Sequence, residues 1–180
     1  MTRHKVLIPL DGSEFSRQAL PYVSKLLLPA SFDVTLLRVA GTPEGFTSPP
    51  ARPVALSNWV LGPSETNTTH PIYQSQVWDA LKAELRAELE SDVGLLASAG
   101  FNVDAQVRFG DAADEIIALV ESEAVSLVVM VTHGRSGLGR LLMGSVAEAV
   151  LRRSRVPVMM VRPVPAGDSD TVPAGAHVSV

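Results

Sequence analysis

The chain has 180 residues, of which 46% are hydrophobic and 19% charged, with a net charge of -4 at neutral pH. That length suits one domain with a sizeable core, and the acidic balance lacks the basic footprint of a nucleic-acid binder. With no cysteine there are no disulfides and no thiolate metal sites, and no apolar run approaches the ~20 residues of a membrane span. The apolar run after Met1-Thr2-Arg3-His4-Lys5 is broken by Pro9 and Asp11 and is too short for a signal-peptide core. A cytoplasmic location is expected, with the sequon Asn67-Thr68-Thr69 idle.

Lys5 to Leu10 reads as a strand buried on both faces. It ends at the turn Asp11-Gly12-Ser13, where Ser13 is placed to cap the next helix and Ser16 makes a partial capping box. That helix shows an apolar face of Phe15, Ala19, Tyr22, Val23 and Leu26, and Pro29 ends it. Asp33 to Val39 is the second strand. From about 40 to 75 the pattern gives way to prolines, glycines and hydroxyl residues, which predicts a long insert with at most a helical turn near Val54 to Leu61. Trp59 and Trp78 are expected to pack rather than to bind.

Gln76 to Ala99 is predicted as one helix with a stripe of Val77, Leu81, Leu85, Leu89, Val93 and Leu96, stopped by Gly100. Phe101 to Phe109 alternates as a strand near a sheet edge should. The next helix buries Ala113, Ile116, Ile117 and Val120. Leu127 to Val131 is the fourth strand, the last helix turns Val146, Ala147, Val150 and Leu151 inward, and Val156 to Val161 is the fifth strand. Pro157 puts that strand at an edge or near its own start. Arg152, Arg153 and Arg155 are read as favourable charge at a helix C-terminus. Residues 1–162 make a single domain, and 163–180 a flexible tail.

Strands alternating with helices predict an α/β fold with a five-stranded parallel, doubly wound sheet and helices on both faces. In the order 3-2-1-4-5 the strand order reverses between strands one and four, where such folds bind ligands. There the loop after strand one, with Asp11, meets the glycine-rich stretch from His133 and Gly134 to Gly144-Ser145. Strand, glycine loop and helix start make a phosphate site, because glycine admits close approach and the first helical amides point outward. Asp11 suits ribose hydroxyls or a metal ion.

Other motifs fail. Gly134 to Gly139 begins like a P-loop, but Arg140-Leu141 replaces Lys-Ser/Thr. Gly137 and Gly139 lack the third glycine of a dinucleotide fingerprint, and Gly134-Arg135-Ser136-Gly137 is one residue short of a nucleophile elbow. His4, His70, His133 and His177 have no zinc-ligand spacing. No acid or nucleophile is legible beside His133, so no catalytic residue is assigned.

One pattern fits. Gly134, nine residues, then Gly144-Ser145 resembles the phosphate loop of ATP-binding universal stress proteins. Pro9-x-Asp11-Gly12-Ser13, Leu36-Leu37-Arg38-Val39 and Val156-Pro157-Val158-Met159-Met160-Val161 resemble that family too. The resemblance spans roughly residues 3 to 162 outside the insert. It implies a Rossmann-like fold of the adenine nucleotide alpha hydrolase type and ATP, with Mg²⁺, at the switch point. By resemblance Pro9, Leu10, Asp11, Val39 and Met130 surround adenine and ribose. Gly134, Gly144, Ser145 and the Val146 amide hold phosphates, beside His133 and Arg135. Arg140 is an alternative charge-assisted contact. A metal is expected at Asp11 only through the bound nucleotide.

The pattern's first glycine falls on Val131, whose side chain either blocks the ligand or is turned into the sheet. The resemblance implies a homodimeric stress-response protein paired through strand five (156–161). Two alternatives stand beside ATP binding: a relative that has lost ATP and acts through dimerisation or a partner, and a slow ATP hydrolase.

Overall fold

In a computed structural model the fold is described for residues 3–42, 71–132 and 143–162, with side chains of the third helix described from 76 onward. The strands are β1 (His4–Leu10), β2 (Phe32–Ala40), β3 (Asn102–Phe109), β4 (Val125–Val131) and β5 (Val158–Val161). The helices are α1 (Glu14–Arg17), α2 (Ala19–Leu26), α3 (Pro71–Ala87), α4 (Glu90–Ser98), α5 (Ala112–Ser122) and α6 (Ser145–Arg153). The strands form one sheet in the order β3-β2-β1-β4-β5, and every pairing is parallel. The expected topology is therefore the observed one, with the reversal between β1 and β4.

Alternation along the strands divides the core into two layers. Val6, Ile8 and Leu10 of β1, Val34 and Leu36 of β2, and Val129 and Val131 of β4 pack with Ala19, Leu20 and Val23 of α2 and Leu96 of α4. Leu7, Leu37, Val128 and Met130 face the other way, against Ile116 and Leu119 of α5 and Ala147 and Val150 of α6. The central strand β1 is fully buried from Val6 to Ile8, which is why it reads as a continuous apolar run.

Two predicted helices are each interrupted. Pro21 cannot donate to the carbonyl of Arg17, and its ring crowds that carbonyl. The first helix accordingly breaks at Gln18, leaving Pro21 in the first turn of α2, where no donor is missed. The buried face turns with it to Ala19, Leu20 and Val23, while Tyr22 and Leu26 are exposed, against expectation. The long helix starts at Pro71 rather than Gln76 and breaks at Glu88-Leu89. Trp78 replaces Val77 on its buried side and meets Phe109 edge-on, ring centres 4.4 Å apart. Leu151 of α6 is likewise exposed rather than inward.

The stop at Gly100 is as expected. Its φ of +93° is the left-handed conformation glycine tolerates. The Gly100 amide donates to Ala97 O and the Phe101 amide to Leu96 O, which satisfies the last carbonyls of α4. Pro157 lies just before β5, where its carbonyl accepts from the Val128 amide at 3.0 Å and its missing N–H costs the ladder nothing. Calls on Trp59, on most of the 40–75 insert and on the 163–180 tail lie outside the described residues.

Candidate functional site

Beyond the carboxyl ends of β1, β2 and β4 lies a cavity of about 300 Å³. Pro9, Leu10 and Asp11 line it from β1, Leu37 and Val39 from β2, and Met130 and Val131 from β4. Ala112 and Ile116 close it from α5, Ser16 from α1, and Gly144, Ser145, Val146 and Ala147 from α6. Nine residues expected at a ligand site (Pro9, Leu10, Asp11, Val39, Met130, Val131, Gly144, Ser145 and Val146) therefore line one cavity. His133, Gly134, Arg135 and Arg140 lie outside the described residues. Five lining residues were not expected: Ser16, Leu37, Ala112, Ile116 and Ala147. Leu37 was legible, since it shares a sheet face with Val39 two residues on. Ala112 and Ile116 of α5 carried no such signal, since nothing in their spacing ties them to the loops after strands one and four.

The cavity has an apolar side and a polar end. Leu37, Val39, Ile116 and Met130 make the apolar side. At the other end Asp11 folds into a local turn: its Oδ1 accepts from the Ser13 amide at 2.9 Å and from the Ser13 hydroxyl at 2.6 Å. Gly12 between them has φ +83°, again a glycine conformation. Ser13 in turn caps α1, accepting from the Ser16 amide at 3.1 Å, as its sequence position predicts.

The helix starts around the cavity differ in one respect. α1 is capped by Ser13 and α5 by Asp111, each through a side-chain oxygen. The N-cap of α6 is Gly144, and among the described residues no side chain caps it. Ser145 is thus the first helical residue rather than the cap. Gly144 offers no side-chain acceptor, and its own amide donates to Thr132 O at 2.7 Å. The positive end of α6, the expected anion seat, carries no cap oxygen of its own among the described residues.

Val131 is 7% exposed and belongs to the layer of Leu10, Val129, Val161 and α2, opposite to Met130. Its side chain is turned into the core. Among the described residues no group of three or more His, Asp or Glu side chains is disposed to hold a metal ion.

The molecule is thus a doubly wound parallel α/β protein with a cavity at its topological switch point, lined in part by apolar side chains and by the start of α6. The chain matches the family model of the universal stress protein family over residues 2–162 and belongs to that family. It is 28% identical over 158 residues to universal stress protein MJ0577 of Methanocaldococcus jannaschii, covering 88% of this chain and 94% of that one. The solved structure of MJ0577 superposes with a TM-score of 0.67 over 91% of this chain and 99% of that one, at 24% identity. The same fold recurs in a universal stress protein in complex with cAMP (TM-score 0.59, 20% identity, 91% of this chain and 100% of that one). It recurs in a family protein of Arabidopsis thaliana with AMP bound (TM-score 0.57, 17% identity, 95% and 98%).

Proposed function

We propose that this protein binds an adenine nucleotide, ATP with Mg²⁺, in the cavity at the switch point and serves a regulatory role in the stress response. The observation that carries the reading is the convergence of the nine expected residues on one cavity whose far end is the uncapped start of α6. Relatives of the same fold bound to cAMP and to AMP support the adenine part.

The residues present fit such a ligand. Leu37, Val39, Ile116 and Met130 offer apolar area to a purine. Asp11 offers a carboxylate to ribose hydroxyls. The Ser145 and Val146 amides and the Ser145 hydroxyl suit phosphate oxygens. The cavity is near the lower end of the ~300–1,000 Å³ usual for ligand sites, so it takes the nucleoside and leaves the phosphates toward the start of α6. A bound Mg²⁺ would neutralise phosphate charge, and Asp11 is the carboxylate among the described residues that line the cavity. Burial of the Val131 side chain in the core argues against the reading in which this valine excludes ATP. A hydrolytic role rests on His133, Arg135 and Arg140 alone and gains no support from the described residues.

Titration calorimetry with ATP and Mg²⁺ tests the proposal. Saturable binding is expected at micromolar ligand, weakened at least ~10-fold in Asp11→Ala through loss of a charged hydrogen-bonding partner. No heat at high micromolar ATP would overturn it. The protein is further proposed to act as a homodimer through β5, which pairs with β4 on one side and is an edge strand. A monomeric mass by light scattering across micromolar concentrations would refute that part.

A further inference from the structure

Two buried charged groups near the cavity, Arg38 and Asp92, are 7% and 4% exposed, and neither lines it. Each is half of an ion pair, and both pairs run to the same place. Arg17 of α1 donates from Nε to both oxygens of Asp92, at 3.1 Å each. Its Nη1 reaches the Gly12 carbonyl at 3.2 Å. Arg38 of β2 donates from Nε to Glu88 at 3.3 Å and from Nη1 to the Val39 carbonyl at 3.2 Å. Gly12 sits in the turn that carries Asp11, and Val39 is itself a cavity wall. Glu88 lies at the break between α3 and α4, and Asp92 in the first turn of α4.

Each guanidinium thus grips a backbone carbonyl of one cavity wall with one nitrogen and a carboxylate of the α3–α4 unit with another. The planar fork of arginine makes both contacts at once; a lysine ammonium on a flexible stem holds such a geometry poorly. The two carboxylates are four residues apart, one at the break between α3 and α4 and the other in the first turn of α4. Two walls, one after β1 and one on β2, are thereby referenced to one segment on the far side of the sheet from α5 and α6.

We propose that Arg17–Asp92 and Arg38–Glu88 form a two-armed brace that sets the spacing between the Asp11 turn and the Val39 wall, and so couples the α3–α4 unit to occupancy of the cavity. The four side chains are positioning residues. They act through the Gly12 and Val39 carbonyls, and the proposal rests on the nucleotide reading given above. Coupling of this kind is reciprocal: nucleotide in the cavity stiffens α4, and displacement of α4 weakens the nucleotide.

Two readouts on the full chain test it. The first is amide hydrogen exchange without ligand. Asp92→Asn keeps the shape but removes the charge, and it is expected to raise exchange in residues 11–18 while Arg3→Met, which breaks the Arg3–Asp33 pair, does not. The second is calorimetry with ATP and Mg²⁺. Asp92→Asn and Arg17→Met are each expected to lose roughly tenfold in affinity, with the double variant no worse than either single one, as for groups acting through one contact. Arg17→Lys is expected to recover only part of the Arg17→Met loss, and thermal melting of each variant confirms that it is folded. Unchanged exchange at 11–18 in folded Asp92→Asn would overturn the brace, as would equal ATP affinity in wild type and both variants. A wild-type protein that binds no nucleotide but shows the exchange effect would leave the brace standing as a structural device and overturn the nucleotide reading and the coupling alone.

Discussion

Replacing Val131 by glycine restores the residue that ATP-binding relatives of this family are expected to carry, and separates two accounts of the loop. If the valine side chain fills space meant for a ligand, Val131→Gly creates or sharpens nucleotide binding at little cost in stability. The structure predicts the reverse. Val131 is 7% exposed and packed in the layer of Leu10, Val129 and Val161. Burying a valine side chain is worth about 1.5–3 kcal/mol, and glycine within a strand costs a further ~0.5–1 kcal/mol of chain entropy. A loss of about 3 kcal/mol follows, or roughly 6–12 °C in melting temperature for a domain of this size. Val131→Ala keeps Cβ and removes two methyl groups, for a loss of about 1.6 kcal/mol at ~0.8 per carbon. Urea unfolding measures both losses, and calorimetry with ATP and Mg²⁺ measures affinity, which is expected to stay within about threefold of wild type, an energy difference of ~0.7 kcal/mol. A tenfold gain in affinity for Val131→Gly, or a stability loss below about 1 kcal/mol, refutes the placement of this side chain in the core.

Two further outcomes are expected. Gly144 has φ -61° and ψ 147°, a conformation that suits the residue before a proline, and Ser145 is the first helical position, where proline is tolerated; Ser145→Pro therefore keeps α6 while deleting one amide donor and one hydroxyl, so calorimetry should show weaker ATP binding and unchanged adenosine binding, and equal losses for both ligands would count against phosphates at this helix. At the opposite end of the sheet, the hydrogen bond from Lys5, 2.7 Å long, holds the Glu123 carboxyl below its ordinary value, with Gln106 and the charges of Lys5 and Arg108 adding to it and burial opposing. A lowered carboxylate pKa stabilises the fold above the ordinary glutamate range, and that contribution is lost as pH falls through the lowered value; both side chains are a quarter to a third exposed, so it is at most ~1 kcal/mol. Lys5→Met should lower the urea midpoint by more at pH 7 than in acid, with the difference shrinking as pH falls, and an equal difference across that range would dismiss the pair.

The alternation of strands and helices and the two-layer core were legible because they rest on patterns long enough to repeat, whereas the strand order was assumed and is observed in the structure. Val6 to Ile8 reads as apolar throughout because β1 has helices on both faces, and Asn102 to Arg108 alternates because β3 is an edge. The helix faces were legible only in part. A spacing of three and four assumes an unbroken helix, and Pro21 resets the phase. Tyr22 and Leu26 were placed inside on a phase that the chain abandons, whereas Val77 yields its place to the neighbouring Trp78 while Leu85, Leu89 and Leu96 are buried as expected. Proline at 21 was the available signal: its ring demands a break about four residues earlier, and the break is at Gln18.

For the candidate site, the family resemblance named nine residues that line one cavity, but it gave no reason for the charges around them. Arg38 falls on a buried face of β2 among Leu36 and Val34, where an alternating pattern reads it as an interruption. Arg17 and Asp92 are 75 residues apart in sequence, and nothing local joins them. A buried arginine is tolerated only with partners that satisfy its fork, and those partners come from an element that only the tertiary fold delivers. The α6 start shows the complementary case. Glycine at 144 reads as part of a phosphate motif, yet its physical content is a missing acceptor. Among the described residues no side-chain oxygen caps the first amides of α6, so the same residue that marks a weak cap also carries the phosphate-motif signal of the sequence.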